Sequence, residues 1–188
     1  MISTLIAFAL MAGGNELVCP IMGEAANMAG PKVEYNGAMF AFCCGGCDSA
    51  FSKDPVAAFK NPKTKGKAIG MYLFDPVSRR RIESKEAKAF STYEGIVFPF
   101  ESAANKATFD KDAKKFGTMP KKDLLTCPVT GEKIDTYASA AAYYDVAGTR
   151  YYICCAGCIG SMEKNSAKYV GNYAKQAATP KAVKAKAN

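Results

Sequence analysis

Eight cysteines, arranged as two sets of four in the same order, constrain this chain more than any other feature of its sequence. The sets are Cys19, Cys43, Cys44 and Cys47, followed by Cys127, Cys154, Cys155 and Cys158. In each set the first thiol precedes a proline, and the other three follow a short apolar run. Thiolates are preferred ligands of zinc, copper(I) and related soft ions. The repeated arrangement therefore predicts two metal sites, with all eight cysteines as candidate ligands.

The absence of histidine limits the chemistry that the chain can perform. With neither histidine nor tryptophan in the sequence, any metal site must be built from sulfur and oxygen ligands. Histidine acid–base catalysis is excluded, as are Ser–His and Cys–His nucleophile pairs. We therefore expect a protein that is not an enzyme and has no catalytic residue, with zinc or copper(I) as the bound ion.

The N-terminal segment predicts export. Residues 1–12 carry no charged side chain and are followed by Gly13 and Gly14. This pattern is typical of the hydrophobic region and cleavage zone of a secretory signal, although the usual basic residue near the start is missing. The stretch is too short for a stable membrane span. We predict a signal segment over residues 1–14 and a periplasmic or extracellular protein, with a buried N-terminal strand or helix as the alternative.

Export makes disulfide bonds a serious alternative to metal binding, because an even number of cysteines in an oxidising compartment is ordinarily a disulfide framework. A bond from Cys19 to Cys43 or Cys47 would stabilise a small exported module by about 2–4 kcal/mol. A structural zinc site in an interaction scaffold is a second alternative. The CxxC spacing of Cys44 and Cys47 leaves a thiol–disulfide oxidoreductase as a third.

The positive charge does not indicate nucleic-acid binding. The net charge is +8, but lysines at the segment junctions and in the C-terminal tail supply much of it. Such runs are usually solvated, and no arginine–aromatic interleaving accompanies them. The expected partners are therefore the metal ion and a metal transporter or other metal-handling protein, and not nucleic acid.

The segment between the two cysteine sets repeats their sequence pattern but contains no cysteine. Asp75 precedes Pro76 where Cys19 and Cys127 precede prolines, and polar residues replace the clustered thiols. Each of the three segments contains a hairpin pattern, with turns predicted at Asn36-Gly37, Glu94-Gly95 and Ala147-Gly148. Asn-Gly is the strongest of these turn signals, because both residues tolerate positive φ. The predicted divisions are residues 15–60, 71–117 and 123–173, followed by a frayed Lys/Ala-rich tail over residues 174–188.

These residues resemble a known family. The middle segment, from Asp75 to Phe109, resembles a YHS domain, and the two cysteine segments resemble the related TRASH domain. TRASH domains are treble-clef-like modules implicated in heavy-metal trafficking, resistance and sensing. The resemblance implies an α+β chain of three tandem treble-clef-like modules, each a β-hairpin followed by short helices. It also implies two ligand triads, which are Cys19, Cys43 and Cys47 in the first segment and Cys127, Cys154 and Cys158 in the third.

The local pattern predicts how the sulfurs would meet. Cys43 is expected to end a strand and Cys47 to lie on the first turn of a helix, so that both face the turn carrying Cys19. A helix N-terminus should also lower a thiol pKa. Four thiolates would close a tetrahedral zinc site, whereas three would leave an open position or suit trigonal copper(I). We expect three firm ligands per site, with Cys44 and Cys155 as candidate fourth ligands, in a protein that buffers, traffics or confers resistance to a soft metal.

Overall fold

The computed structural model describes residues 16–186, so the predicted signal segment, residues 1–14, lies outside the described part of the chain. The strands are β1 (Asn27–Tyr35), β2 (Ala38–Phe42), β3 (Gly70–Tyr72), β4 (Ala89–Tyr93), β5 (Ile96–Phe100), β6 (Lys122–Leu124), β7 (Ala142–Val146), β8 (Thr149–Ile153) and β9 (Val183–Lys184). The α-helices are α1 (Cys47–Lys53), α2 (Pro55–Phe59), α3 (Ala103–Lys111), α4 (Ala113–Gly117) and α5 (Ala156–Val170). The strands form a six-stranded sheet, in the order β4-β5-β3-β2-β1-β9, and a three-stranded sheet, in the order β6-β8-β7.

Three tight turns connect the antiparallel pairs β1/β2, β4/β5 and β7/β8. Both residues of the Asn36-Gly37 turn have positive φ, 53° and 80°. The turns at Glu94-Gly95 and Ala147-Gly148 have the same left-handed backbone. Positive φ at both central positions matches the twist of the flanking strands, which is why Asn-Gly favours this turn. The predicted positions of all three turns are confirmed.

Short polar side chains mark the starts of three helices. Asp54 accepts a hydrogen bond from the N–H of Ala57 at 2.9 Å and caps α2, which begins at Pro55. Ser102 caps α3 and Asp112 caps α4 in the same way. Such caps satisfy backbone donors that have no partner within the helix. The start of α2 is as the Asp-Pro pair predicts.

The predicted architecture of three tandem treble-clef-like modules is wrong. The short strand β3 pairs antiparallel with β2 and parallel with β5, and so joins the first two hairpins in one sheet. The third hairpin belongs to the second sheet but shares one core with the first, in which Cys19 and Cys127 are both buried. A unit of about 40 residues buries too little apolar surface to be stable alone, so a shared core is the favourable solution. Over residues 16–186, two mixed sheets carry five α-helices, so this part of the chain is α+β only in a loose sense.

A buried arginine connects the two sheets. Arg150 on β8 is only 3% exposed and forms a two-bond ion pair with Asp145, both nitrogen–oxygen distances being 2.8 Å. Its guanidinium also donates to the hydroxyl of Tyr72 on β3 and lies 3.9 Å from the ring centroid of Tyr143. A buried charge is tolerated only when it is paired and hydrogen-bonded. This residue therefore fixes the third hairpin against the larger sheet.

The C-terminal segment is held at both sheets, so the prediction of a frayed tail is wrong for residues 174–186. β9 pairs antiparallel with β1 at the edge of the six-stranded sheet. Upstream of β9, Ala178 and Asp123 exchange backbone hydrogen bonds of 2.9 and 3.1 Å. None of the helices in the described part of the chain is long and apolar enough to cross a membrane.

Candidate metal centres

The first cluster of sulfurs is assembled from a tight turn, the end of a strand and the start of a helix. The turn is closed by hydrogen bonds from the N–H of Cys19 to the carbonyl of Glu24, 2.7 Å, and from the N–H of Gly23 to the carbonyl of Cys19, 2.8 Å. Cys43 directly follows β2, and Cys47 is the first residue of α1. The Sγ atoms of Cys19, Cys43 and Cys47 all lie within 4.8 Å of one another.

The second cluster is built in the same way. The N–H of Cys127 donates to the carbonyl of Glu132 and the N–H of Gly131 donates to the carbonyl of Cys127, both at 2.8 Å. Cys154 directly follows β8, and Cys158 lies in the first turn of α5. The three sulfurs of Cys127, Cys154 and Cys158 again lie within 4.8 Å of one another. We call these two groups the first triad and the second triad.

The spacing of the sulfurs fits a shared metal ion. At the usual zinc–sulfur distance of about 2.3 Å, two sulfur ligands lie about 3.8 Å apart in tetrahedral geometry and about 4.0 Å apart in trigonal geometry. The Sγ atoms of Cys154 and Cys158 are 3.8 Å apart. All eight cysteines are free thiols in this structure. Each triad could therefore hold one metal ion without rearrangement of the backbone.

The fourth cysteine of each set lies beside its triad, on the solvent side. Cys44 is exposed, and its sulfur is 3.4 Å from that of Cys47 and 3.6 Å from that of Cys43. Cys155 is also exposed, and its sulfur is 3.4 Å from that of Cys158. Neither belongs to the group of three sulfurs that converge on one centre. In both sets, therefore, three thiols form the candidate metal centre, and the fourth contacts this triad from the solvent side.

One buried thiol in each triad has a lowered pKa. Burial raises the pKa of Cys127, but hydrogen bonds outweigh this effect and lower the pKa to about 7. The donors are the backbone N–H groups of Cys154, Thr130 and Val129, together with the hydroxyl of Thr130. The pKa of Cys19 is lowered for the same reason, by backbone N–H groups that overcome the effect of burial. Hydrogen bonds to a charged form favour that form.

The other two thiols of each triad remain protonated near neutral pH. Burial, followed by the neighbouring sulfurs, raises the pKa of Cys43 to about 11, and burial is the largest cause of the rise to about 11 at Cys154. The pKa values of Cys47 and Cys158 are raised for the same reasons. The prediction that a helix start lowers a thiol pKa is therefore wrong for Cys47 and Cys158, because burial and the neighbouring sulfurs outweigh the helix. It is confirmed for Cys155, which directly precedes α5 and whose pKa is lowered mainly by a hydrogen bond from the N–H of Cys158. A bound cation reverses this balance, since it favours several thiolates at once.

No family model matches this chain, and neither a curated protein nor a solved structure matches it. The resemblance to YHS and TRASH domains therefore stays a prediction from the sequence pattern.

The two centres differ in the residue beside the buried thiol. Thr130 lies within the second turn, and its hydroxyl is 3.6 Å from the sulfur of Cys154. Met22 has the corresponding place in the first turn and is 43% exposed. A hydroxyl can donate to a thiolate and a thioether cannot. The second centre therefore stabilises its thiolates with one donor that the first centre lacks.

Hydrogen bonds replace the sulfur cluster in the middle segment. Asp75 is fully buried, and its Oδ1 accepts from the N–H groups of Val77 at 2.8 Å and Ser78 at 3.2 Å. Its Oδ2 accepts from the N–H of Glu101 at 2.9 Å and from Nδ2 of Asn105 at 2.7 Å. The carboxylate thus links the turn to the start of α3. The sequence indicated the turn at Asp75, but not the link to Asn105.

A cavity that the sequence did not predict lies beside the six-stranded sheet, and no residue of either triad lines it. It has a volume of about 720 Å³, and charged residues lining it include Glu34 and Arg81. Glu34 accepts from the N–H of Ala138 at 2.8 Å, and Arg81 donates to the carbonyls of Leu73 and Ala138. These charged groups already stabilise the protein's own backbone. The sulfur triads are therefore the stronger candidate site.

Proposed function

We propose that this protein binds two soft metal ions, one in each triad, and that it stores or passes them on without catalysing a reaction. The observation that carries the proposal is that three sulfurs, distant in sequence, converge within 4.8 Å of one another, and do so twice. The buried thiol with the lowered pKa in each triad, Cys19 or Cys127, would ionise first, and the other two thiols would lose their protons as they bind the cation.

The donor set favours copper(I) among the candidate ions. Each triad among the described residues offers sulfur ligands only. Three thiolates suit trigonal copper(I), whereas zinc in proteins almost always takes four ligands. A zinc ion would need a fourth donor, either a water molecule or the sulfur of Cys44 or Cys155. Copper(I) needs no such addition.

A role in metal trafficking or resistance and an exported location belong to the same proposal. Residues 1–12 have the composition of a signal segment, and the cysteine segments resemble a domain of heavy-metal handling. Each triad includes one partly exposed thiol, Cys43 or Cys154, and such a ligand suits the transfer of the ion to a partner. The partner would then be a metal transporter or another metal-handling protein.

The decisive experiment is a metal titration of the reduced protein, with a competing chelator to report free copper(I). We expect two ions per chain, falling to one in a Cys43→Ser variant and to one in a Cys154→Ser variant. Each variant is the matched control for the other, because it leaves the opposite triad intact. Zinc titrations under the same conditions compare the two candidate metals.

Protein purified without reductant distinguishes the rival functions. If it contains neither metal nor free thiols, the cysteines form structural disulfides and the proposal is wrong. If it catalyses disulfide reduction or isomerisation with many turnovers, it is a thiol–disulfide enzyme. If it retains a zinc ion that no chelator removes while the fold is intact, the sites are structural.

A further inference from the structure

The outer cysteines, Cys44 and Cys155, are the only members of the two sets that are exposed. Cys19 and Cys127 are fully buried, and Cys47 and Cys158 are 6% and 5% exposed. A metal carrier that approaches from solvent therefore cannot reach the buried sulfurs directly. Cys43 and Cys154 are partly exposed, so the outer cysteine is the most accessible sulfur of each set, although not the sole one that the carrier can contact.

The sulfurs of the first set form two triangles that share an edge. The inner triangle is the first triad, in which Cys43 and Cys47 lie together with Cys19. The outer triangle has the same Cys43–Cys47 edge, with Cys44 3.6 Å from Cys43 and 3.4 Å from Cys47. All of these separations are within the range that one metal ion can bridge. An ion can thus move from the outer to the inner triangle while it keeps two of its three ligands.

The surface above this outer triangle is open. Gly45 and Gly46 separate Cys44 from Cys47, and both are exposed. Within the described part of the chain, apart from the adjoining residues, nothing lies within 4 Å of where a Cβ atom would stand at either glycine. The second set has Ala156 and Gly157 at these positions, which are also exposed and small. Room is therefore available for an incoming thiol at both centres.

From these observations we propose that Cys44 and Cys155 are exchange ligands, through which copper(I) passes between each triad and a carrier that holds it on thiolates. This inference rests on the proposed function. The carrier is either a small thiol or a protein with exposed cysteines, since both present the ion in the same way.

The transfer is a ligand exchange without electron transfer. The carrier brings copper(I) on two thiolates, and the sulfur of Cys44 bonds to the ion as one bond to the carrier breaks. Cys43 and Cys47 displace the second carrier thiolate, and Cys19 then replaces Cys44. Each departing carrier thiolate takes up one proton lost by the protein's thiols and leaves as a thiol, and the solvent takes up any further proton. Copper remains in the +1 state throughout.

The test compares the wild type with a Cys44→Ser, Cys155→Ser double variant by stopped-flow transfer of copper(I). One donor is the copper(I)–glutathione complex, and the other is a copper-loaded peptide with a Cys-x-x-Cys motif. We expect unchanged stoichiometry and nearly unchanged affinity in the variant, with transfer slowed about tenfold, because attack by an accessible thiolate sets the rate of such exchanges. Slowing with the peptide alone identifies a protein carrier, and slowing with glutathione alone identifies a small thiol.

Equal transfer rates for wild type and variant with both donors would overturn the inference while the proposed function survived. Loss of one ion per site in the double variant would also overturn it, because Cys44 and Cys155 would then be permanent ligands. If the wild type itself binds no copper(I), the proposed function fails, which is a separate outcome. The thermal midpoint of the metal-free variant checks its folding, and both substituted positions are exposed.

Discussion

Binding of copper(I) at the second triad should release protons, and the structure sets their number. A Cys43→Ser, Cys47→Ser variant removes two ligands of the first triad, so that only the second triad binds. At pH 7 the Cys127 thiol, with a pKa of about 7, is half ionised. Cys154, with a pKa of about 11, and Cys158, whose pKa is also raised, are both protonated. Three bound thiolates therefore require the loss of about 2.5 protons per ion.

The number of protons released per ion also determines how strongly binding depends on pH. Because the thiols must be ionised to bind, protons compete with the metal, and the apparent affinity falls as the pH falls. Below pH 7 the loss should be between two and three orders of magnitude per pH unit, about one order for each proton displaced. Above pH 7 the slope should decrease toward two, because Cys127 is then already ionised.

Isothermal titration calorimetry in buffers with different enthalpies of ionisation measures the released protons directly. A plot of the observed enthalpy against the buffer enthalpy should have a slope corresponding to about 2.5 protons at pH 7. Release of one proton or none would refute the reasoning. It would mean that Cys154 and Cys158 do not both lose a proton when copper(I) binds. The matching Cys154→Ser, Cys158→Ser variant provides the control, since it reports the first triad alone.

Three further predictions concern individual residues. Asp75→Ala leaves four hydrogen-bond donors without their acceptor and should lower the free energy of unfolding by about 3 kcal/mol in urea denaturation; a change below about 1 kcal/mol would argue against a structural role. Arg150→Met should cost about 2–3 kcal/mol by the same measurement, because it removes the two-bond ion pair with Asp145 and the hydrogen bond to Tyr72. Thr130→Val removes a donor to the Cys127 thiolate, so the pH at which the second triad is half loaded should rise by roughly half a unit; an unchanged midpoint in metal titrations at several pH values would show that the hydroxyl has no such effect.

Local signals explain the parts of the fold that the sequence predicted. Asn36-Gly37 specifies a tight turn through its own backbone preferences, and β2 follows over Ala38–Phe42 as the alternating apolar pattern indicates. Asp54 followed by proline predicts the start of α2 in the same way. The convergence of Cys19 with Cys43 and Cys47 could be anticipated, because a turn, a strand end and a helix start follow one another closely in the chain.

Interactions between distant segments explain what the sequence could not reveal. The pairing of β3 with β5 is parallel and joins segments that looked separate, and no local residue preference encodes it. Arg150 lies in an apolar strand pattern, and only the arrangement of Tyr72 and Tyr143 around it shows why a charge is tolerated there. The raised pKa of Cys47 and Cys158 depends on burial by the surrounding fold, which a CxxC spacing does not report.

The position of β9 has a consequence for how the protein behaves in solution. β9 covers part of β1, through the pairs Val33–Lys184 and Glu34–Val183. An uncovered strand edge is a template on which another polypeptide can add, and β1 is nine residues long. Proteolytic trimming of the last few residues would therefore leave both triads in place and yet favour self-association, with fibrillar deposits as the extreme result.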